Sequence, residues 1–378
     1  MEQMKGRLFN RRRFIKDGSK AVAGITLVSA FANNTWAYAR KAARIRFSVI
    51  SINHPHIYGM IEAVIKGGGE LVSAYAKEPE LIAAFSKKYP GAKIARTPNE
   101  ILEDPSIQLV LSSGIPLDRA PLGIEVMQHG KDFLVDKPGI ITLEQLSDVR
   151  RVQKETRRSY TIFIERLESS IIPKAGALIK AGAIGKVIQT IGLGPHHINP
   201  QSRPAWFFDK KYFGGVITDL GSHQFDQFIY FTGSAQAEIV SAQVGNMNHP
   251  EYPAFEDFGN AMLKGDQGTG YLRVDWFSPD GLKTFGDGRQ TILGTEGYIE
   301  LRKTVDLSGR QGGNHLFLVN QKENIYIDCS KEPLLFSGLF VNDILNRTET
   351  AIKQEEVFLA AELGLKAQAK ATELHFSV

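Results

Sequence analysis

The sequence has 378 residues, of which 43% are hydrophobic and 23% charged, so it is long enough for two ordinary domains and is not a low-complexity chain. Its single cysteine, Cys329, excludes an internal disulfide framework and a CxxC metal or redox site. The net charge of +4 does not indicate a nucleic-acid partner: residues 1–39 hold seven lysines or arginines and two acids, which leaves the remainder near −1.

The first segment, residues 1–39, has the features of an export signal. Arg11 and Arg12 begin a stretch that resembles the twin-arginine motif, and an apolar run over 21–32 and an Ala-x-Ala ending follow it. The apolar run is short for a membrane span. We predict recognition by the twin-arginine export machinery, cleavage after Ala39, a periplasmic protein and no stable membrane insertion afterwards. An uncleaved membrane anchor is the alternative.

Strands and helices alternate over residues 40–165. The strands are "IRFSVIS", "ELVSAYA", "KIAR", "IQLVLSSG", "KDFLVDKPG" and "SYTIFIER", and helical segments separate them. Strand-helix alternation of this kind predicts an α/β fold with a doubly wound parallel sheet. We therefore predict a Rossmann-like domain over residues 40–165.

The pattern changes after residue 165. Longer strands follow, among them "KVIQTIGLG", "AEIVSAQVGNM", "GTGYLRVDWF" and "RQTILGTEGYIELR", and a helix near 350–372 ends the chain. They predict a second, α+β domain over residues 166–378 with a large, mostly antiparallel sheet. One face of such an open sheet is apolar and uncovered in a monomer, so a homodimer or homotetramer is expected.

The chain resembles a known protein family in five segments that occur in the same order. These segments are "IRFSVIS", "DKPG", "GAIGKV", "GGVITDLGSHQFD" and "ILGTEGYIELR". The family that they resemble is the glucose-fructose oxidoreductase / inositol dehydrogenase / rhizopine-catabolism (Gfo/Idh/MocA) family. The resemblance covers nearly all of the chain after the signal. It implies a Rossmann domain, a domain for substrate binding and oligomerisation, and hydride transfer between NAD(P) and a sugar or cyclitol hydroxyl. The family's usual "EKP" is "DKP" here. In the family the lysine, Lys137 here, hydrogen-bonds the reacting hydroxyl and helps to relay its proton.

Three residues are the candidate catalytic groups. Lys137 lies at the carboxyl end of a parallel strand, where open α/β sheets bind ligands. Asp219 and His223 are four residues apart, and Gln227 continues the same face if the segment is helical. An acid one turn away holds a histidine in one tautomer. We predict His223 as general base, Asp219 as its orienter or a hydroxyl ligand, and Gln227 as a substrate ligand; a solvated lysine and a core histidine are the alternatives.

The stretch "GPHHINPQSRPAWFFDKKYF" supplies further substrate candidates. Arg203 is suited to hydroxyl groups or a carboxylate, and Trp206 to stacking on a sugar face. A packed aromatic loop is an equal alternative. We predict no metal, because neither histidine pair, His54 with His56 or His196 with His197, has a further ligand at a recognisable spacing.

The dinucleotide loop departs from the usual glycine-rich fingerprint. Ser51, Asn53 and His56 occupy its three glycine positions. Asn53 tolerates left-handed backbone, and a helix N-terminus still follows for the phosphates. His54 and His56 can add a donor or a charge. We predict an altered but working loop, with cofactor contacts from these four residues, from Ser113 after the fourth strand and from Lys137.

The adenine side favours NADP slightly over NAD. The second strand ends at Ala76, where an acid that binds the adenine ribose hydroxyls is usual. Without that acid the 2′-phosphate of NADP meets no repulsion, and the next residue, Lys77, can pair with it. Because free NAD(P) is scarce outside the cytoplasm, an exported enzyme needs a tightly bound cofactor. The carbohydrate reaction is then a sugar:sugar oxidoreduction, a dehydrogenation with an outside acceptor, or a redox-neutral glycoside cleavage. The rival is a non-catalytic carbohydrate-binding protein that has lost the nucleotide loop.

Overall fold

The computed structural model describes residues 44–375. They lie within one compact unit that spans Ala43–Val378. The predicted export signal, residues 1–39, and its cleavage point lie outside the described residues. None of the helices in the described range is long and apolar enough to cross a bilayer.

The first sheet has six parallel strands in the order β3-β2-β1-β4-β5-β6. The apolar runs of the central strands are buried on both faces, as in a sheet covered by helices on each side. This confirms the predicted doubly wound sheet. Its strands are β1 (Ile45–Ile50), β2 (Gly69–Tyr75), β3 (Lys93–Ile94), β4 (Leu109–Ser112), β5 (Asp132–Asp136) and β6 (Tyr160–Phe163). Its helices are α1 (His56–Lys66), α2 (Pro79–Lys88), α3 (Asn99–Leu102), α4 (Pro116–Gln128) and α5 (Leu143–Thr156).

The rest of the described chain contributes a nine-stranded sheet and seven further helices. The helices are α6 (Glu165–Glu168), α7 (Ile171–Lys180), α8 (Lys210–Phe213), α9 (Val216–Leu220), α10 (Ser222–Thr232), α11 (Phe336–Asn346) and α12 (Gln354–Lys370). The strands are β7 (Val187–Pro195), β8 (Ala237–Gly245), β9 (Phe258–Gly265), β10 (Thr269–Asp275), β11 (Arg289–Gly294), β12 (Gly297–Arg302), β13 (His315–Asn320), β14 (Asn324–Asp328) and β15 (Thr372–Glu373). Short 3₁₀ turns occur at Pro200–Ser202, Ala205–Phe208 and Cys329–Lys331.

This second sheet has the order β14-β13-β12-β11-β7-β10-β9-β8-β15. Neighbouring strands are antiparallel except for the pairs β7–β10 and β8–β15, which confirms the predicted mostly antiparallel sheet. Its inner face is buried against the helices. Its outer face exposes large apolar side chains, which include Ile191, Met262, Leu293 and Tyr298.

The last two helices return to the first sheet. Phe336 and Phe340 of α11 and Phe358 of α12 belong to the same buried core as β1, β4 and β5. Gly67, just after α1, lies so close to α11 that a Cβ there would clash with the carbonyl oxygen of Ser337. Neither α11 nor β13 was among the predicted elements. The core of the Rossmann-like part therefore includes residues far beyond position 165, and the boundary between domains at 165 and 166 stays a prediction.

Candidate active site

A cleft lies where the carboxyl end of β5 faces α9 and α10, and it encloses about 710 Å³ with its opening to solvent. This is the edge at which open parallel sheets bind their ligands. Side chains from the end of β5 and from loops and helices of both halves of the described chain line it, and they include His54, His56, Asp136, Lys137, His196, Arg203, Trp206, Asp219, His223, Trp276, Phe285 and Lys303.

Lys137 and Asp219 form an ion pair at the centre of the cleft. Lys137 follows β5, and its Nζ donates a hydrogen bond of 2.8 Å to Oδ1 of Asp219. Both side chains are about nine-tenths buried. Gly214 and Gly215 lead into α9 with φ angles of 85° and 90°, which favour glycine. This turn brings Asp219 from the second half of the chain to the strand end of the first.

His223 is held by the backbone rather than by Asp219. Its Nδ1 accepts a hydrogen bond of 3.1 Å from the backbone N–H of Glu165, so in the neutral ring the proton is on Nε2. Burial lowers the pKa of His223 well below its ordinary value, and the charge of Lys137 lowers it further. The structure thus differs from the predicted Asp219–His223 pair: Asp219 bonds Lys137. A neutral His223 with Nε2–H is a hydrogen-bond donor, and this tautomer does not suit the predicted role as general base.

Gln227 lies behind the cleft and does not line it. Its Nε2 donates to Oε2 of Glu165 at 3.0 Å, and Oε1 of Glu165 is 3.2 Å from Nζ of Lys303. The role of Gln227 as a substrate ligand stays a prediction; in this arrangement its side chain is buried and bonded to Glu165. Gln227 instead steadies Glu165, whose backbone positions His223.

Arg203 and Trp206 both line the cleft, beside an aromatic wall that the sequence analysis did not assemble. The guanidinium carbon of Arg203 is 4.4 Å from the ring centre of Phe207 and 5.2 Å from that of Trp276. Its Nε donates to the carbonyl of Ile198 at 2.9 Å. One terminal nitrogen of Arg203 and Nε1 of Trp276 are buried without a partner among the described residues. Two donors are thus available to a ligand with oxygen acceptors.

His196 is a cleft residue that the sequence analysis considered only as a metal ligand. Its Nδ1 lies 2.9 Å from the carbonyl oxygen of Gly194, so Nδ1 carries the proton and Nε2 has a free lone pair. Burial lowers the pKa of His196 to about 3, with a further contribution from Lys137. His196 is a neutral acceptor next to a pair of charged groups.

The nucleotide loop keeps the tight turn without its glycine. Ser51 has a φ of 67°, the left-handed conformation that the first glycine of the fingerprint normally supplies. Ser113 is buried, and its Oγ donates to the carbonyl of His54 at 2.8 Å. Ser113 therefore holds the loop from beneath, and its hydroxyl is not directed at a ligand as predicted.

The adenine side contains an acid that the sequence analysis missed. Nδ2 of Asn53 donates to Oε1 of Glu78 at 2.8 Å, whereas Lys77 is exposed and makes no side-chain hydrogen bond among the described residues. Glu78 lies two residues after Ala76, the position where the acid is usual. Its hydrogen bond to Asn53 of the nucleotide loop is visible only in the folded structure.

His54 and His56 converge on Asp136, the last residue of β5. Nδ1 of His54 is 2.8 Å from Oδ2 of Asp136, and Nδ1 of His56 is 2.9 Å from Oδ1. The buried Arg119 donates to Oδ2 at 3.1 Å. Burial alone would raise the pKa of Asp136, but His56, Arg119 and His54 outweigh it and hold that pKa well below its usual value. Burial lowers the pKa of His54 to about 4.

Comparison with known proteins gives three results of different reach. Residues 172–300 match the model of the GFO/IDH/MocA C-terminal domain. A crystal structure from Erwinia carotovora atroseptica SCRI1043, provisionally named an oxidoreductase, is 42% identical, has a TM-score of 0.85 and is covered completely by 88% of this chain. The scyllo-inositol 2-dehydrogenase (NAD(+)) of Bacillus subtilis (strain 168) is 30% identical over 210 residues, which are 55% of this chain and 58% of that protein.

More distant structures share the fold. An oxidoreductase from Agrobacterium radiobacter in complex with NAD+, L-tartaric acid and magnesium has a TM-score of 0.73 at 16% identity, with 87% of this chain and 96% of that chain covered. At this identity the likeness concerns the fold alone. The first three curated relatives are covered over only 58%, 42% and 47% of their length.

Proposed function

The chain belongs to the Gfo/Idh/MocA family of oxidoreductases, and from this membership we propose that it is an exported NAD(P)-dependent oxidoreductase. Its substrate is a secondary hydroxyl of a sugar, glycoside or cyclitol. The observation that carries the proposal is the buried Lys137–Asp219 pair of 2.8 Å. A protein that only binds carbohydrate has no need of a desolvated proton-handling pair at the strand edge where this fold holds its nicotinamide.

The residues around the loop fit a dinucleotide. The strand order reverses at β1 and β4, which makes the crevice used by Rossmann folds, and Ser51 supplies the turn at a φ of 67°. Helix α1 begins at His56 and presents its N-terminus to the same edge. Glu78 and Asn53 suit the hydroxyls of the adenine ribose. A carboxylate at this place repels a 2′-phosphate, so we propose NAD as the preferred cofactor in place of the NADP that Ala76 and Lys77 favour.

A bound nicotinamide supplies the hydride acceptor, and the chain handles the proton. Oδ1 of Asp219 accepts from Lys137, and Oδ2 makes no side-chain hydrogen bond among the described residues, so it is available for the hydrogen of a substrate hydroxyl. The ammonium group of Lys137 stabilises the developing alkoxide beside it. His223 lines the same cleft, and its Nε2–H is the donor that would orient the oxygen. The proton of the substrate hydroxyl would pass to the carboxylate of Asp219, which is paired with Lys137.

The walls of the cleft suit a polyhydroxylated substrate. Trp206 offers a flat face, and Arg203 and Trp276 offer unpaired donors, while His196 offers an acceptor. Donors and acceptors around an aromatic surface are the usual complement of a sugar ring. This mixture supports a carbohydrate or cyclitol, the class to which the Bacillus subtilis relative's name refers.

Export and assembly complete the proposal. The twin-arginine signal over residues 1–39 delivers the protein to the periplasm with its cofactor tightly bound. Replacing Arg11 and Arg12 together by lysine should abolish export of a reporter fused to this segment, and export that continues would contradict the signal. The apolar outer face of the second sheet pairs two or four chains. Met262→Glu should give a monomer in light scattering if this face is the interface.

The test of the function is to denature the purified full chain and measure released dinucleotide by mass spectrometry. We expect close to one NAD per chain, together with sugar- or cyclitol-dependent reduction of the bound cofactor. Lys137→Ala should retain the cofactor and lose turnover, whereas Lys370→Ala, which changes an exposed lysine, should retain both. No dinucleotide in the protein and no binding of added NAD(P)H would favour the carbohydrate-binding alternative, to which the three missing glycines point.

A further inference from the structure

We propose that His54, His56 and Asp136 bind a divalent transition-metal ion of the zinc type at the floor of the cleft. One ligand atom from each of these side chains lies within 4.8 Å of the other two. His54 comes from the loop before α1, His56 is the first residue of α1, and the carboxylate comes from the end of β5, 80 residues beyond His56. The proposal does not depend on the dinucleotide.

The spacing of the three side chains is that of ligands around one ion. Two ligand atoms about 2.1 Å from a metal are about 3 Å apart at the right angle of a facial two-histidine, one-carboxylate site, and about 3.4 Å apart in a tetrahedral site. The nitrogen–oxygen distances here are 2.8 and 2.9 Å. Nδ1 of His54 is buried and makes no hydrogen bond of acceptable geometry, although Oδ2 of Asp136 is so close. A metal ion bound to both atoms would satisfy the nitrogen lone pair and the carboxylate oxygen together; without an ion, a proton shared by His54 and Asp136 does so.

A second layer of contacts fixes the carboxylate. The fully buried Arg119 donates to Oδ2 of Asp136, and its Nε and NH1 are tied to the carbonyls of Gly114 at 2.7 Å and Lys137 at 2.6 Å. Carboxylates that bind metals are usually held by such hydrogen bonds. Asp136 therefore keeps its place whether or not an ion is bound, while the two imidazoles, with 22% and 37% of their side chains exposed, leave a path from solvent.

The donor set and the local charge define what binds. Two imidazoles and one carboxylate suit zinc, cobalt, nickel, iron or manganese rather than magnesium or calcium, which prefer oxygen ligands. Because Arg119 already balances the charge of Asp136, a divalent ion adds net positive charge next to Lys137. The remaining coordination positions face the cleft and therefore take an anionic oxygen, such as a carboxylate, an alkoxide or a phosphate.

The experiment uses the full chain, purified without a histidine tag and stripped with a chelator. Titration with Co²⁺ should give a visible absorption band that saturates at one ion per chain and is displaced by Zn²⁺. His54→Ala and His56→Ala should each weaken the affinity at least tenfold. His129→Ala, which removes an exposed histidine outside the cleft, should leave it unchanged. Circular dichroism of each variant checks that it is folded.

Two results would overturn the site: no saturable Co²⁺ band in the stripped protein, or a band that His54→Ala and His56→Ala leave intact. Asp136→Asn gives a third check, since the amide keeps the size of the side chain and loses its charge, and unchanged affinity in a folded variant would remove Asp136 as a ligand. Dinucleotide is measured in the same samples. Metal binding without dinucleotide refutes only the proposed function, and dinucleotide without metal binding refutes only this site.

Discussion

The Lys137–Asp219 pair can be measured directly by a double-mutant cycle. At 2.8 Å, two unit charges attract by about 6 kcal/mol with an effective dielectric constant of 20, and desolvation of the two buried groups offsets part of this. Removing one partner leaves the other buried and unpaired, so Lys137→Met and Asp219→Leu should each reduce the free energy of unfolding by about 3 kcal/mol. The double variant should be destabilised much less than the sum, with a coupling energy of about 2 to 4 kcal/mol.

The assay is urea unfolding followed by tryptophan fluorescence at neutral pH, with the slopes compared to confirm that all four proteins unfold in the same way. Lys370→Met paired with Asp219→Leu is the control: Lys370 is exposed and makes no side-chain hydrogen bond or ion pair among the described residues, so these two changes should be additive. Additivity within about 0.5 kcal/mol for the Lys137 and Asp219 changes would refute the pair. Turnover should be lost in both single variants and in the double variant.

Three further predictions concern His196, Glu78 and His223. The pKa of a histidine in the unfolded chain is near 6.5, whereas burial holds the pKa of His196 at about 3 in the folded protein, so only the unfolded chain takes up a proton as the pH falls below about 6.5. Between pH 7.5 and 5 the wild-type protein should therefore lose about 2 kcal/mol more free energy of unfolding than His196→Asn, measured by urea unfolding. Equal losses would contradict the lowered pKa. Glu78→Gln should move the ratio of the NADPH and NADH dissociation constants about tenfold towards NADPH in fluorescence titration, about 1.4 kcal/mol, whereas Glu80→Gln should not. If His223 is a donor, His223→Gln should keep activity within about tenfold and His223→Phe should lose about a hundredfold; equal losses would restore the base.

The elements of the fold could be predicted because their signals are local. The buried apolar runs of β4 and β5 and the alternation in the second sheet indicate strands on their own, and the switch between the two patterns separates the two sheets. Helix α11 could not be predicted because it follows irregular segments, and its sequence pattern does not indicate which sheet it packs against. Its place depends on a contact with α1, almost 270 residues earlier, such as that of Ser337 with the position of Gly67.

The site was predictable only as far as motifs reach. Lys137, Asp219 and His223 were found through spacing and resemblance, and the structure places all three in one cleft. The bond between Asp219 and Lys137 could not be predicted. The four-residue spacing of Asp219 and His223 indicates a shared helix face, but α9 ends at Leu220 and α10 starts at Ser222. Asp136 was missed for the same reason: nothing in the spacing of His54 and His56 points to a carboxylate on another strand.

The return of α11 and α12 to the first sheet has a consequence for the order of synthesis. The first sheet is synthesised before the second, yet its core lacks Phe336, Phe340 and Phe358 until about nine-tenths of the chain or more has been made. Until then an apolar surface beside α1 stays open to water. The first half of the chain therefore cannot reach its final stability ahead of the second.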